Sequence, residues 1–282
     1  MKHQYIVLVV LLSLFSTAPL ASAEDLAVDS GYQHLIEKNT LRCGYSPWPD
    51  LIDVDPTTKK LSGVFYDYMN ELGRIMDIKI EWVEEVPFGE IPQALNSGRI
   101  DAHCSGAWTN PIRSKFADSV TPIAYQYITA FVRGDDNRFD GHMEKANAPD
   151  IKIATIDGES SATIAAASFP NAKIISSPQG TDGTQMLLDV ISKKADVAFT
   201  DLSMLHRVEH NNSGKTKQVR LDYPLQVFGT PIWVRKGAVK LKNSLDVATQ
   251  QLINDGSIAK ILAKHEKIKG AFLRPHTAYQ PQ

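Results

Sequence analysis

The chain has 282 residues and a formal net charge of −2, with 43% hydrophobic and 22% charged residues. This mild charge argues against a nucleic-acid-binding protein, because such domains carry a strongly basic surface. The length is enough for one large domain or two of ordinary size, and it allows a sizeable hydrophobic core that does not depend on disulfide bonds or metal ions.

The first residues have the layout of a secretory signal peptide. Lys2 and His3 precede an apolar stretch at 5–15, and Ala21-Ser22-Ala23 supplies a small-residue cleavage site. We expect residues 1–23 to be removed after Ala23. The apolar stretch is too short for a bilayer, and no later segment has the roughly 20 apolar residues that a membrane helix needs. Because no Cys follows the cleavage site, a lipid anchor is not expected, and we predict a periplasmic location.

The first half of the chain alternates strands and helices. The predicted strands are 41–45, 78–83 and 102–104, and the predicted helices are 64–76 and about 88–97. A Pro-rich loop, Ser46 to Asp50, follows the first strand. Such alternation predicts a mainly parallel sheet flanked by helices.

The second half repeats this order. The predicted strands are 151–156, 173–175 and 197–201, and the predicted helices are 162–168, 184–192 and 202–209. Segments 95–102 and 190–197 share a helix end, a basic turn, an Asp and a strand start. This repeat predicts two lobes of related architecture rather than one continuous sheet.

Two extended segments, 128–134 and 228–237, are predicted to cross between the lobes. Each consists of an apolar strand that ends in a basic residue and a glycine. A closing helix at 241–265, interrupted near Asp255-Gly256, should pack back on the first lobe. We therefore predict that lobe 1 comprises residues 24–131 plus 229–282, and that lobe 2 comprises residues 132–228. A two-strand hinge of this kind is consistent with closure around a ligand.

Two cysteines, Cys43 and Cys104, each fall in a predicted strand. An oxidising compartment permits a disulfide between them if the strands are neighbours, and the alternative is two buried thiols. His103 has no metal-ligand spacing around it and is predicted to pack in the core. His206 and His210 lie four residues apart on a predicted helix, where a solvated face is expected rather than a metal site.

Two charged residues stand at strand ends and could together hold a zwitterion. Arg113 closes the turn 106–113, and Asp201 ends the strand 197–201. The alternative for Arg113 is an ion pair with Asp118. For Asp201 the alternative is an N-cap on the helix that follows, and both roles are compatible.

Several short motifs recur in a characteristic order. They are the aromatic/Pro loop 46–50, Gly-Arg-Ile-Asp at 98–101, Pro-x-Arg with Phe-Ala-Asp at 111–118, Gly-x-Ser at 158–160, Ala-Asp-Val-x-x-x-Asp at 195–201 and Asp-Gly-Ser-Ile-Ala-Lys-Ile at 255–261. Together they resemble the family 3 solute-binding proteins, the periplasmic receptors of polar amino acid ABC importers, over Thr40 to Glu266. The resemblance implies an α/β fold of two lobes, the type II periplasmic binding protein fold.

The resemblance also implies roles for individual residues. Arg113 would bind the ligand's carboxylate with its planar fork of donors. The backbone from Gly106 to Trp108 and the helix start at Ser160 would add further donors to the carboxylate. Asp201 would take the ligand's amino group. The remaining candidates are pocket walls, namely Trp48, Phe88 and Glu159.

Three positions depart from the family pattern. Trp108 and Asn110 stand where relatives usually have hydroxyl residues, so the indole of Trp108 either shrinks the pocket or turns outward as a lobe contact. Glu159 replaces a small hydroxyl residue. We favour the interpretation that it is a first-turn acid that suits the helix dipole. If it faces the cleft instead, it would attract a basic side chain.

The expected function is therefore capture of a small carboxylate, most readily an amino acid, by lobe closure and delivery to an inner-membrane ABC permease. We expect a monomer without a cofactor, a metal site or catalytic residues. Two alternatives stay open. One is a cyclohexadienyl dehydratase-like periplasmic enzyme, for which Glu159 is the candidate proton donor. The other is a ligand-sensing receptor for a membrane signalling partner.

Overall fold

The structure is a computed structural model and describes residues 30–276. The expected signal peptide, residues 1–23, lies outside the described residues. Among residues 30–276, no helix has both the length and the apolar character required to cross a membrane.

The strands are β1 (Thr40–Tyr45), β2 (Asp53–Val54), β3 (Leu61–Ser62), β4 (Lys79–Glu85), β5 (Ala102–His103), β6 (Ala117–Ser119), β7 (Tyr125–Arg133), β8 (Lys152–Ile156), β9 (Lys173–Ser177), β10 (Val197–Thr200), β11 (Thr216–Gln218), β12 (Gln226–Gly229) and β13 (Trp233–Arg235). The α-helices are α1 (Ser30–Lys38), α2 (Val64–Met76), α3 (Ile91–Asn96), α4 (Ser160–Ser168), α5 (Thr184–Ile191), α6 (Leu202–Asn212), α7 (Val239–Asn254) and α8 (Ser257–His265). Short 3-10 helices lie at Phe88–Glu90, Arg113–Lys115 and Met143–Ala146.

Two separate sheets form the two lobes. The first has the strand order β4-β1-β5-β13-β6, and the second has the order β11-β7-β10-β8-β9, with β12 also paired to β7. In each sheet the parallel pairings lie on one side, β4-β1-β5 in one and β9-β8-β10 in the other. Antiparallel strands, which the sequence did not predict, complete each sheet. The predicted two-lobe α/β fold is confirmed.

Lobe 1 is closed by the last two helices, as expected. The apolar positions of α2 recur at helical spacing, and five of them are fully buried: Val64, Phe65, Tyr68, Met69 and Leu72. The hydroxyl groups of Tyr68 and Thr249, 2.6 Å apart, join α2 to α7. Gly256, with φ +81°, separates α7 from α8, because that backbone conformation suits glycine.

The chain crosses between the lobes earlier than the sequence indicated. Strand β7 begins at Tyr125, and its ladder partners β10, β11 and β12 belong to the second sheet, so residues 125–131, which were predicted for lobe 1, pair with the second sheet. The crossing segments instead pair at Ala124 and Thr230, where the backbone N–H of Thr230 donates to the carbonyl oxygen of Ala124 at 2.9 Å. Apolar alternation reveals a strand but not the sheet that it joins, which explains the displacement.

Cys43 and Cys104 form a disulfide, with their Cα atoms 5.5 Å apart. Cys43 lies on β1 opposite Ala102 of the neighbouring β5, and Cys104 follows β5 directly. Of the two alternatives that the sequence left open, the structure has the bonded pair. The bond therefore fixes two central strands of lobe 1 to each other just before the chain reaches the cleft.

Candidate ligand-binding site

A cavity lies between the lobes, where the carboxyl ends of strands from both sheets meet. Open α/β sheets bind ligands at such an edge. The space between its walls is about 320 Å³, part of which is open to solvent. Its walls are Trp48, Leu51, Phe88, Gly106, Trp108, Arg113, Glu159 and Ser160. All of these except Leu51 were candidates from the sequence, and the structure places them together.

Arg113 is held in the cavity wall by neutral groups. Its Nη1 donates to the carbonyl oxygen of Trp108 at 2.8 Å, and its Nη2 donates to that of Phe88 at 3.3 Å. The guanidinium also lies 5.3 Å from the ring centre of Trp233. No carboxylate of the described chain forms a salt bridge with it. Burial lowers the pKa of Arg113 to about 10, so the group remains a cation at neutral pH.

The turn that carries Arg113 is fixed by Asn110. The side-chain oxygen of Asn110 accepts from the backbone N–H groups of Ile112 at 2.8 Å and of Arg113 at 3.3 Å. Asn therefore supplies the turn-forming acceptor at this position. The ion pair between Arg113 and Asp118 is absent from the described structure, because Asp118 accepts from Lys236 at 2.6 Å instead.

Gly106 allows the backbone to approach the cavity. Its φ is +74°, and a Cβ atom there would lie 2.2 Å from the ring of Phe65. Both the conformation and the contact therefore require glycine.

Trp108 has both of the roles that the sequence left open. It lines the cavity, and its ring stacks on Phe228 of the strand β12 in lobe 2, with ring centres 5.7 Å apart. Its indole N–H donates to the side-chain oxygen of Gln126 at 2.8 Å, which fixes the ring. Neither Gln126 nor Phe228 was a candidate, because each is far from Trp108 in sequence and reaches it only through the pairing of β7 with β12.

Three aromatic rings form the apolar part of the cavity. Trp48 meets Phe88 and Trp108 edge to face, with ring centres 5.6 Å and 5.8 Å apart. Such pairs prefer this geometry because the ring edges are positive and the faces negative. The structure therefore places Trp48 and Phe88 as pocket walls, where the sequence expected them.

Asp201 is at the cleft but not in the cavity wall. Its carboxylate caps α6 by accepting from the backbone N–H of Ser203 at 2.9 Å, and it also accepts from the hydroxyl of Ser203. The other carboxylate oxygen accepts from the indole N–H of Trp48, in lobe 1, at 2.8 Å. Burial raises the pKa of Asp201. The N-cap role is confirmed, and its carboxylate is fully buried in this conformation.

Glu159 and Ser160 lie at the start of α4, opposite Arg113. Glu159 is the N-cap residue, yet its side chain makes no capping hydrogen bond and lines the cavity. Burial raises the pKa of its carboxyl to about 8, although the nearby Arg113 opposes that shift. Glu159 thus stands at the helix start, as the favoured interpretation had it, but its side chain faces the cleft, which was the less favoured alternative. The sequence shows only that Glu159 lies at a helix start. Whether its side chain faces the cleft depends on how the two lobes pack against each other.

His103 lies buried beneath the cavity. Its Nε2 is 2.9 Å from the hydroxyl of Ser46 and 3.2 Å from that of Ser105. Burial, assisted by the charge of Arg113, lowers the pKa of His103 to about 3, so the ring is neutral. No group of acidic, His or Cys residues in the described chain is arranged to hold a metal.

A cavity between two hinged α/β lobes, with an unpaired arginine on one side and a helix start on the other, defines a bilobal solute-binding protein. Comparison with known families agrees. Residues 41–267 match the model of the bacterial extracellular solute-binding proteins, family 3, and the chain belongs to that family.

A relative in sequence is the Probable ABC transporter extracellular-binding protein YckB of Bacillus subtilis (strain 168). It is 35% identical over 85 residues, which span 30% of this chain and 29% of that protein. The match therefore covers less than a third of either chain.

Solved structures share the fold. The ancestral amino acid-binding protein AncCDT-1, a precursor of cyclohexadienyl dehydratase, superposes with a TM-score of 0.72 at 24% identity, covering 83% of this chain and 98% of that one. AbpA of Streptococcus pneumoniae, bound to L-arginine, gives 0.71 at 18% identity, with 83% and 98% covered. A binding component from Wolinella succinogenes, in complex with lysine, gives 0.71 at 20% identity, with 80% and 95% covered.

Proposed function

We propose that this protein is a periplasmic receptor that captures an amino acid between its lobes and delivers it to an inner-membrane ABC permease. The observation that carries the proposal is Arg113, a buried cation held by carbonyl groups and lacking a carboxylate partner among the described residues. A buried charge without a partner is costly, so a ligand carboxylate is its natural complement. Amino acids are also what the named structural relatives bind.

In the proposed mechanism, ligand contacts from both lobes stabilise the closed form. Arg113 and the backbone at Gly106 to Trp108 hold the carboxylate from lobe 1, and the start of α4 at Ser160 adds donors from lobe 2. Charge-assisted hydrogen bonds contribute about 1.5 to 3 kcal/mol each, so a few exceed the roughly 5.5 kcal/mol needed to reverse a 1:99 equilibrium. Asp201 is proposed to take the amino group. The receptor acts as a monomer without a cofactor.

The proposal is tested by calorimetry of ligand-stripped protein against the common amino acids and small carboxylates. We expect at least one amino acid to bind, and Arg113→Ala to abolish that binding. Arg74→Ala is the matched control, because Arg74 is an exposed arginine on α2 that pairs only with Glu71 among the described residues. Unchanged affinity in Arg113→Ala would contradict the role of Arg113 as the carboxylate-binding residue.

One observation bears on an enzymatic alternative. A carboxyl with a pKa of about 8, such as Glu159, is protonated at neutral pH and could donate a proton. We propose a binding role instead, because no second carboxyl group and no histidine among the described residues line the cavity with Glu159. Product formation from prephenate-like acids, followed by absorbance, would favour the dehydratase alternative.

A further inference from the structure

A second cleft adjoins the cavity. It is a space of about 590 Å³ between the lobes, part of it open to solvent, and it shares two walls with the cavity, Phe88 and Glu159. A ligand anchored at Arg113 in the small cavity can therefore extend past Glu159 into this second space.

The two spaces have opposite charge. The cavity contains the cation of Arg113, and the second cleft adds the acidic residues Glu85, Asp157 and Asp182 to the shared Glu159, with no lysine or arginine among the described residues of its walls. The combined site thus runs from a positive end to a negative end. A ligand with an anion at one end and a cation at the other matches that order.

Glu159 is the member of this group that faces both spaces, and its carboxylate has no partner in the described chain. By contrast, Asp157 accepts from the hydroxyl of Ser176, and Asp182 accepts from the backbone N–H of Thr184 at 2.8 Å. Enclosing a carboxyl group without hydrogen bonds destabilises the closed form. That cost is removed if the ligand brings a cation to Glu159 when the lobes close.

We infer that the ligand is an amino acid with a basic side chain, whose carboxylate binds Arg113 and whose side-chain cation binds Glu159 at the mouth of the acidic cleft. The inference rests on the proposed function and narrows its ligand. Phe88, which lines both spaces, supplies an apolar wall for the aliphatic part of the side chain.

The test compares ligands that differ only in side-chain charge. Calorimetry of the ligand-stripped protein with lysine against norleucine, and with arginine against citrulline, separates charge from size. We expect at least one basic member to bind roughly 10- to 100-fold more tightly than its neutral partner, the range of a charge-assisted hydrogen bond. Glu159→Gln should reduce that ratio to less than about threefold, while Glu159→Asp should restore part of it. Glu37→Gln, the same change on the exposed face of α1, should leave the ratio unaltered.

The outcomes separate the inference from the proposed function. If the neutral partners bind as tightly as lysine and arginine, the inference is wrong while amino acid binding stands. If Glu159→Gln remains folded by thermal unfolding and keeps the preference for the basic ligands, the assignment to Glu159 is wrong. If no amino acid binds to the wild-type chain, the proposed function fails as well.

Discussion

The two charged residues that the sequence singled out, Arg113 and Asp201, lie at the cleft on opposite lobes but differ in their surroundings. Arg113 faces the cavity with neutral carbonyl partners, whereas the carboxylate of Asp201 already accepts from Ser203 and from Trp48 of the other lobe. Both side chains reach the cleft, but their local partners decide how much hydrogen-bonding capacity is left for a ligand. Arg113 is thus preorganised for a ligand, while Asp201 must exchange a partner to bind one.

The strongest test of this comparison is Arg113→Lys, which keeps the positive charge but removes the planar, forked arrangement of guanidinium donors. We expect the affinity for the bound amino acid to fall by about 30- to 100-fold, because a lysine cannot hold the two carbonyl groups and a carboxylate together. Isothermal calorimetry measures the change. An affinity within about threefold of wild type would show that charge alone suffices and that the fixed geometry of Arg113 is unimportant.

The second test uses pH, because the enclosed carboxyl group of Glu159 resists ionisation. Burial raises the pKa of Glu159, which lines the cavity, to about 8. Groups whose pKa is raised on closure stabilise the closed form at low pH and lose that contribution as pH rises through the closed-state value. From pH 6 to 9 we expect the ligand-free closed form to lose about 2 to 3 kcal/mol relative to the open form.

Small-angle X-ray scattering of ligand-free protein measures this loss as a larger radius of gyration at pH 9 than at pH 6. Glu159→Gln removes this contribution, so its radius should change less over the same range. A wild-type radius that is constant with pH, or that falls as pH rises, would contradict the assigned direction of this pKa shift.

Much of the site could be predicted from sequence because it depends on short segments. The turn from Gly106 to Arg113 contains its own glycine, its Asn110 acceptor and its cation, so local rules were sufficient to place them. The start of α4 at Ser160 was likewise readable from Gly158 and the helix that follows. What these segments share is that their geometry is set within a few residues.

The rest depends on how the lobes meet, which no local pattern encodes. The bond between Trp48 and Asp201 joins residues 153 positions apart, and Glu159 enters the cavity only because lobe 2 closes on lobe 1. The early crossing near Ala124 was missed for a related reason, since β7 pairs with a sheet built mainly from later strands.

The smallest expected effect tests the exchange at Asp201. Trp48→Phe keeps an aromatic wall but removes the N–H that occupies one carboxylate oxygen of Asp201. If the ligand's amino group competes for that oxygen, removing the competitor should tighten amino acid binding by about two- to fivefold, the equivalent of one ordinary hydrogen bond. The matching carboxylate without an amino group should bind Trp48→Phe no more tightly than wild type. Weaker amino acid binding in the variant would instead show that the hydrogen bond between Trp48 and Asp201 stabilises the closed form. The ligand's amino group would then be bound by other residues.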